Sequence, residues 1–232
     1  MYKKSYELLI FDWDGTLMDS VAHIVASMRA ATAELGLAPR DDKQFSDIIG
    51  LGMREAINSL FPEQYDDAFA QTFTEAYRKY YFAEDAPQAL FPNAENVLRD
   101  LHAQEYLLAV ATGKSRRGLD KVLHETGLQD VFHASRCADE THSKPHPRML
   151  LEILETTGVE PGNALMIGDT EYDLDMARQA GMHAVGVSYG VHDRERLQTL
   201  GPRHILDSIE ELPDWLSQMN LPEREKYRTI KS

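Results

Sequence analysis

The chain has 232 residues, 43% of them hydrophobic and 27% charged, which is the balance of a globular protein with a sizeable core. Its formal net charge of −14 argues against a general binder of nucleic acids or of anionic membranes. Cys137 is the single cysteine, which excludes an intrachain disulfide and a zinc site built from several cysteines of this chain.

The sequence predicts neither a targeting segment nor a membrane span. The apolar run at residues 8–11 ends in an acid and is shorter than the apolar region of a signal peptide. No stretch approaches the ~18 apolar residues that a membrane span requires. We therefore expect a cytoplasmic protein with no membrane partner.

Residues 8–11 predict a short buried strand that runs directly into Asp12 and Asp14. Two acids that are two positions apart on extended backbone point to the same side. Such carboxylates repel each other unless a cation or a shared proton relieves them. Because chemistry in an open α/β sheet collects at the carboxyl ends of the strands, this stretch predicts a metal site.

The next sixty residues have a helical pattern without a convincing strand. Helices are predicted at residues 21–36, 41–49, 53–60 and 65–82, with a break at the glycines of 50–52. Aromatic residues recur along the last helix. Packing within a helical bundle is the simpler interpretation of that stripe, and lining of a substrate cavity is the alternative.

After residue 87 the chain alternates between strands and helices. Strands are predicted at 106–111, 131–134, 164–167 and 184–187, the last helix at 208–219, and a frayed end at 221–232. Alternation of this kind predicts an α/β fold, a doubly wound parallel sheet of Rossmann-like build. We expect a core of residues 1–17 and 88–232, with a helical cap domain, residues 18–87, inserted after the first strand.

Four predicted strand ends carry polar side chains that suit one reaction. They are Asp12 with Asp14, Thr112 with Gly113, the segment around Lys144, and Asp169 with Asp173. Each alone has a plain explanation, since acids and hydroxyls at strand ends often cap the next helix and lysines are usually solvated. Four chemically matched ends in order outweigh those explanations.

This set of motifs resembles the haloacid dehalogenase-like hydrolase superfamily. The matches are D-x-D-G-T at 12–16, the threonine at 112, the lysine within 143–147, and G-D-x-x-x-D at 168–173. The position of the cap resembles the subfamily that contains phosphoglycolate phosphatases and β-phosphoglucomutases.

The resemblance implies a division of roles. Asp12 would be the nucleophile that forms an aspartyl-phosphate, and Asp14 would be the general acid and base. Thr112, Lys144 and the backbone N–H of Gly113 would bind the oxygens of the transferring phosphoryl group.

The resemblance also implies a Mg²⁺ cofactor. Its ligands would be Asp12, the main-chain carbonyl of Asp14, and Asp169, in a set of oxygens that suits this ion. Asp173 would support these ligands from outside the coordination shell.

Three further features bear on the substrate. Dehalogenases of the superfamily lack an acid equivalent to Asp14, since halide leaves without protonation, so Asp14 favours phosphate esters. Arg54 follows the predicted specificity loop of the cap and is a candidate substrate contact; a solvated helix arginine is the alternative. Lys114, Arg116 and Arg117 are interpreted mainly as surface charge at a helix start, and ringing the site entrance is the alternative.

The sequence thus predicts a Mg²⁺-dependent phosphatase that acts on a small phosphorylated metabolite, phosphoglycolate-like or a sugar phosphate. A phosphosugar mutase of the β-phosphoglucomutase type is the first alternative. A phosphate-binding or regulatory protein without turnover is the second. We expect a monomer or homodimer whose partner is a small phosphate ester and not a nucleic acid.

Overall fold

The computed structural model describes residues 4–83 and 88–221. Within them the strands are β1 (Leu8–Phe11), β2 (Met18–Asp19), β3 (Ala89–Leu90), β4 (Leu107–Thr112), β5 (Ala134–Cys137), β6 (Ala164–Gly168), β7 (His183–Val187) and β8 (His204–Leu206). The helices are α1 (Val21–Glu34), α2 (Asp42–Ser46), α3 (Met53–Leu60), α4 (Asp67–Tyr81), α5 (Ala94–Ala103), α6 (Arg116–Thr126), α7 (Arg148–Thr157), α8 (Glu171–Gln179), α9 (Arg194–Gln198) and α10 (Leu212–Met219). Among these helices, none combines the length and the apolar character needed to cross a membrane.

Strand β1 lies in the middle of a parallel sheet with the order β5-β4-β1-β6-β7-β8. Its residues pair with β4 on one side and β6 on the other, with Leu8 opposite both Leu107 and Ala164. All four residues of β1 are buried, as expected for a strand covered on both faces. The predicted doubly wound α/β fold is confirmed, and its central strand delivers Asp12 to the carboxyl edge.

The two faces of the sheet form separate hydrophobic clusters. Leu9 and Phe11 join one cluster, which also includes Trp215, while Leu8 and Ile10 join the other, which includes Met149. This division follows from the alternation of side chains along an extended strand. Helices therefore cover both faces, and the carboxyl edge is left as the place for polar side chains.

The four helices α1–α4 form a third hydrophobic cluster of their own. Its centre is aromatic: Phe73 is fully buried, with its ring centroid 5.5 Å from that of Phe61 and 6.2 Å from that of Phe69. The antiparallel pair β2–β3 joins the chain where it leaves the sheet to where it returns. We call α1–α4 the cap. Its division from the core as a domain stays a proposal, and residues 84–87, beside the predicted boundary, lie outside the described residues.

Short elements differ from the predictions. Strand β5 begins at Ala134, opposite Ala109, whereas the prediction placed it at 131–134. Val131 is buried, but it packs into the core from a turn that precedes the strand. An apolar residue at this position therefore does not indicate a strand. The pair β2–β3 and strand β8 were not predicted because two or three residues carry too little periodicity. The predicted helix at 208–219 is a 3₁₀ turn followed by α10, and of the predicted frayed end only Leu221 is described.

The domain proposal can be tested with a substitution that creates a cavity in the core of the cap. Phe73→Ala should cost about 3–5 kcal/mol because it removes a fully buried aromatic side chain. If the cap is a unit of its own, hydrogen exchange followed by mass spectrometry will show lost protection in α1–α4 while β4 and β6 stay protected. The matched core variant, Leu165→Ala, should expose β4 and β6 first. Uniform loss of protection in Phe73→Ala would contradict the division.

Candidate active site

Asp12 stands at the end of β1 with its carboxylate buried and 1% exposed. Its backbone N–H donates to the Ile167 carbonyl at 2.9 Å, which continues the pairing of β1 with β6 and holds the residue in place. Among the described residues, no backbone N–H or hydroxyl donates to either carboxylate oxygen. The Lys144 ammonium forms an ion pair with Oδ1 at 2.7 Å. A buried carboxylate with free lone pairs is suited to attack or to bind a metal.

Lys144 connects two acids of the site. Its Nζ lies 2.7 Å from Asp12 Oδ1 and 2.6 Å from Asp173 Oδ1, and all three side chains are buried. Burial lowers the pKa of Lys144, but the two carboxylates outweigh this and raise it above its usual range. The lysine therefore stays charged at the position where the predicted phosphoryl group would be bound.

Asp169, the first residue after β6, is held by two donors. The Thr16 hydroxyl donates to Oδ1 at 2.8 Å, and the Val191 N–H donates to Oδ2 at 2.8 Å. Two glycines make room for this carboxylate: a Cβ at Gly15 or Gly190 would lie 2.3 Å from an atom of Asp169. Gly15 also has a φ of +82°, which favours glycine. The D-x-D-G-T motif thus needs its glycine for the turn and for the fit.

Asp12, Asp169 and Asp173 form a buried cluster in which one oxygen of each lies within 4.8 Å of the others. Burial raises the pKa of Asp12 well above its usual range; Lys144 opposes this, and the other two carboxylates add to it. Burial and the charge of Asp173 raise the pKa of Asp169 to about 7. The three acids repel one another, and a hard divalent cation bound by oxygens would relieve the repulsion. The donor set therefore fits Mg²⁺.

Asp173 enters this cluster although the prediction placed it outside the coordination shell. Its Oδ2 accepts from the Thr170 hydroxyl at 2.7 Å and from the Thr170 N–H at 3.1 Å, which forms the capping box of α8. Its Oδ1 accepts from Lys144. With both oxygens engaged, Asp173 is suited to orienting its neighbours, and its supporting role stays a prediction.

The Asp14 carboxylate is not a member of this cluster and has partners of its own. Its Oδ1 accepts from the Ser20 hydroxyl at 2.5 Å and lies 2.8 Å from Lys114 Nζ. Lys114 also donates to the hydroxyl of Tyr81, a cap residue, at 2.8 Å. Burial lowers the pKa of Lys114, but Asp14 and Tyr81 outweigh this and raise it above its usual range.

Lys114 lies at the site, where the sequence favours surface charge and has the site entrance only as the alternative. Its side chain is 7% exposed, which contradicts the favoured interpretation. The position directly after Thr112 and Gly113 was the available signal. The partners of Lys114 are Asp14, in the loop after β1, and Tyr81 of the cap. Both are distant from Lys114 in the sequence, so no local pattern indicates these contacts.

Thr112 and Gly113 lie at the interface between core and cap. Thr112 is fully buried, and its hydroxyl accepts from the Lys114 N–H at 3.2 Å. A Cβ at Gly113 would lie 2.7 Å from the carbonyl oxygens of both Gly50 and Leu51. Because those atoms are backbone, only glycine at position 113 allows this close approach. The role of Thr112 and Gly113 in phosphate binding stays a prediction.

Other contacts hold the cap over this edge of the sheet. The Tyr172 hydroxyl donates to the Asp47 carbonyl at 2.8 Å, and Arg196 pairs with the Asp47 carboxylate at 2.9 Å. The Gly52 N–H donates to the Ser143 hydroxyl at 2.6 Å. The cap therefore touches the segments that carry Asp173 and Lys144.

Arg54 is not brought to the other predicted site residues. Its guanidinium pairs with Asp67 at 3.0 Å, and both side chains are largely exposed. It does not line the cavity described next. The specificity role of Arg54 stays a prediction.

A cavity lies between the cap and the core, with Asp14, Gly113 and Lys114 at its core side. Its cap side is mostly apolar and aromatic, formed by Ile24, Met28, Ile48, Ile49, Tyr77 and Tyr81. The aromatic stripe of α4 therefore serves both interpretations given above, bundle packing and cavity lining. Asp14, the predicted general acid, is one of the residues that line this cavity.

Comparison with known proteins adds independent findings. Residues 9–187 match the family described as "Haloacid dehalogenase-like hydrolase". The chain is 34% identical over 209 residues to "Probable phosphatase IndB" of Dickeya dadantii, covering 88% of this chain and 91% of that one. It is 31% identical to "Phosphoglycolate phosphatase" of Psychrobacter arcticus, covering 90% and 95%. A solved hydrolase from Pseudomonas syringae superposes with a TM-score of 0.83 at 25% identity, covering 90% and 97%.

The repulsion within the cluster predicts a pH effect on the metal-free protein. The folded state keeps the Asp169 proton up to about pH 7, whereas the unfolded chain loses it near pH ~4. Between these values the folded state binds more protons than the unfolded chain. The contribution of Asp169 to the free energy of unfolding therefore falls as pH rises. Asp169→Asn should therefore lose less stability than wild type between pH 5 and pH 8.

Thermal unfolding in EDTA across this range measures the effect. The exposed acid variant Asp130→Asn should follow the wild-type curve. Parallel curves for wild type and Asp169→Asn would contradict the assignment.

Proposed function

Since the chain belongs to the haloacid dehalogenase-like hydrolase family and is a phosphatase of that family, we propose that it hydrolyses small phosphate monoesters with Mg²⁺ through an aspartyl-phosphate on Asp12. The observation that carries the proposal is the Asp12 carboxylate, which is buried, accepts from no backbone N–H or hydroxyl of the described residues, and has the Lys144 ammonium 2.7 Å from Oδ1. The named relatives bring phosphoglycolate into consideration, and sugar phosphates are the second substrate class from the sequence. Cytoplasmic location, and a monomer or homodimer, stay predictions from the sequence.

In the first step an Asp12 oxygen attacks phosphorus while the bond to the leaving-group oxygen breaks. Lys144 pairs with the phosphoryl oxygens, helped by Thr112 and the Gly113 N–H. Asp14 gives its proton to the leaving oxygen, so the alcohol departs neutral. Ser20 and Lys114 position the Asp14 side chain, which must carry its proton for this transfer.

In the second step water attacks the phosphorus of the aspartyl-phosphate. Asp14, now a carboxylate, takes a proton from this water as the new P–O bond forms. The bond from phosphorus to the Asp12 oxygen breaks, which releases phosphate and restores both carboxyl groups. One acid thus serves both half-reactions in opposite directions.

Asp12, Asp169 and the main-chain carbonyl of Asp14 would hold Mg²⁺, with Asp173 orienting them. The bound ion supplies positive charge to the phosphoryl oxygens and to the carboxylates. A phosphate dianion with Asp12 and Asp169 carries about four negative charges, of which the ion and Lys144 balance three. Backbone donors and partial protonation balance the remainder.

Metal dependence and the nucleophile can be tested together by phosphate release over a panel of phosphomonoesters. EDTA should abolish turnover by at least about 10³-fold, and added Mg²⁺ should restore it. Asp12→Asn should be inert by a similar factor with or without Mg²⁺. Full turnover after exhaustive chelation would overturn the metal scheme. Equal inertness of wild type and Asp12→Asn would favour a binding protein without turnover.

The role of Asp14 predicts a dependence on the leaving group. Asp14→Asn should lower kcat/KM for alkyl phosphates by about 10²–10⁴-fold, because an alkoxide needs a proton as it leaves. The loss should be smaller for 4-nitrophenyl phosphate, whose leaving group is stable as an anion. Ser46→Ala, a hydroxyl on the cap away from Asp14, serves as the control. Equal losses for both substrates would contradict Asp14 as the general acid.

A further inference from the structure

The cavity beside Asp14 has a lining that bears on the leaving group. Ile24, Met28, Ile48 and Ile49 are all buried members of the cap's hydrophobic cluster, yet each also lines the cavity. Half-buried Met53 joins them at the start of α3. The wall that a leaving group meets is therefore largely hydrocarbon.

The polar groups of the lining are mostly engaged already. Lys114 is paired with both Asp14 and Tyr81. The Thr74 hydroxyl donates to the Ala70 carbonyl at 2.6 Å, and the Ser115 hydroxyl caps α6. Arg78 is exposed and also lines a second, open surface pocket, which places it at the outer edge of the lining.

Apart from exposed Arg78 at the outer edge, the described lining residues offer no uncommitted cation to a carboxylate within this cavity. To reach Lys114 it would have to displace Asp14, the general acid of the proposed mechanism. Burying an unpaired carboxylate against hydrocarbon is strongly unfavourable. The lining therefore selects against a charged leaving group.

Two tyrosines supply a surface for a ring. The rings of Tyr77 and Tyr81 are stacked with centroids 5.3 Å apart and an interplanar angle of 29°. The Tyr77 hydroxyl has no hydrogen-bond partner among the described residues. Burial, with the charges of Tyr81 and Asp14, raises the pKa of Tyr77 well above its usual range, so it is a neutral phenol. It offers one polar contact in an otherwise apolar wall.

Building on the phosphatase function proposed above, we propose that the preferred substrate is a phosphate monoester of an uncharged alcohol with an apolar, ring-bearing body. The ring packs on the tyrosines and aliphatic side chains of the cap. The single phosphate lies at Asp12 and Lys144. Carboxylate-bearing esters such as 2-phosphoglycolate are disfavoured by the same wall.

Wild-type enzyme with two matched substrate pairs tests this without any mutation. Benzyl phosphate and 4-carboxybenzyl phosphate share a ring and differ in charge, and ethyl phosphate and 2-phosphoglycolate share a size and differ in charge. We expect kcat/KM to be at least tenfold higher for the uncharged member of each pair. We also expect benzyl phosphate to exceed ethyl phosphate by at least tenfold.

A variant that adds a cation to the wall should reverse the preference. Met53→Arg should raise the ratio of kcat/KM for 4-carboxybenzyl over benzyl phosphate by at least tenfold. Asn58→Arg adds the same charge on the exposed side of the same helix and should leave the ratio unchanged. Thermal unfolding of both variants checks that they fold.

The outcomes separate this inference from the function on which it rests. Turnover of 2-phosphoglycolate equal to or better than that of ethyl and benzyl phosphate overturns the inference and leaves the phosphatase proposal standing. No turnover of any of the four esters or of 4-nitrophenyl phosphate, with Mg²⁺ present, overturns both. Equal ratios in Met53→Arg and Asn58→Arg show that the cavity does not receive the leaving group.

Discussion

Repulsion between buried carboxylates is the constraint on which the rest of the site depends. Asp12, Asp169 and Asp173 gather within 4.8 Å at the carboxyl edge of the sheet, where water cannot screen them. Lys144 neutralises part of this charge by touching two of them. The repulsion that remains would be relieved by a divalent cation, and in the proposed function that cation would let the site accept a phosphate dianion.

The second organising contact joins Asp14, the proposed general acid, to the cap. Lys114 lies between Asp14 in the core and Tyr81 in the cap, and Gly113 beside it lets the cap backbone approach. The contact between cap and core therefore completes the environment of Asp14 and also forms the cavity wall. In the proposed function, binding of the leaving group and proton transfer to it would share this one set of residues.

Sequence and structure agree best where the pattern is local. Helix α3 was predicted at its observed bounds, because helical periodicity and the flanking glycine and proline are visible within a few residues. Strand β5 was placed three residues early, and β8 was missed, because edge strands this short are defined by their pairing partners. Arg54 pairs with exposed Asp67 on the cap surface and does not line the cavity beside Asp14, and its sequence position alone could not indicate this.

The sequence by itself determined the fold class and the acids and threonine at the strand ends, because strand ends of a parallel sheet meet at one edge whatever the loops between them do. Lys144 was also found from its motif, although it lies in the loop after β5 and not at a strand end. It could also indicate the family, since several separate motifs had to agree. Only the tertiary structure decided that Lys114 is buried against Asp14, that Gly113 meets the cap backbone, and that the wall of the cavity is apolar. Those features arise from contacts between segments far apart in the chain, and a side chain's neighbours across such distances leave no periodic trace in the sequence.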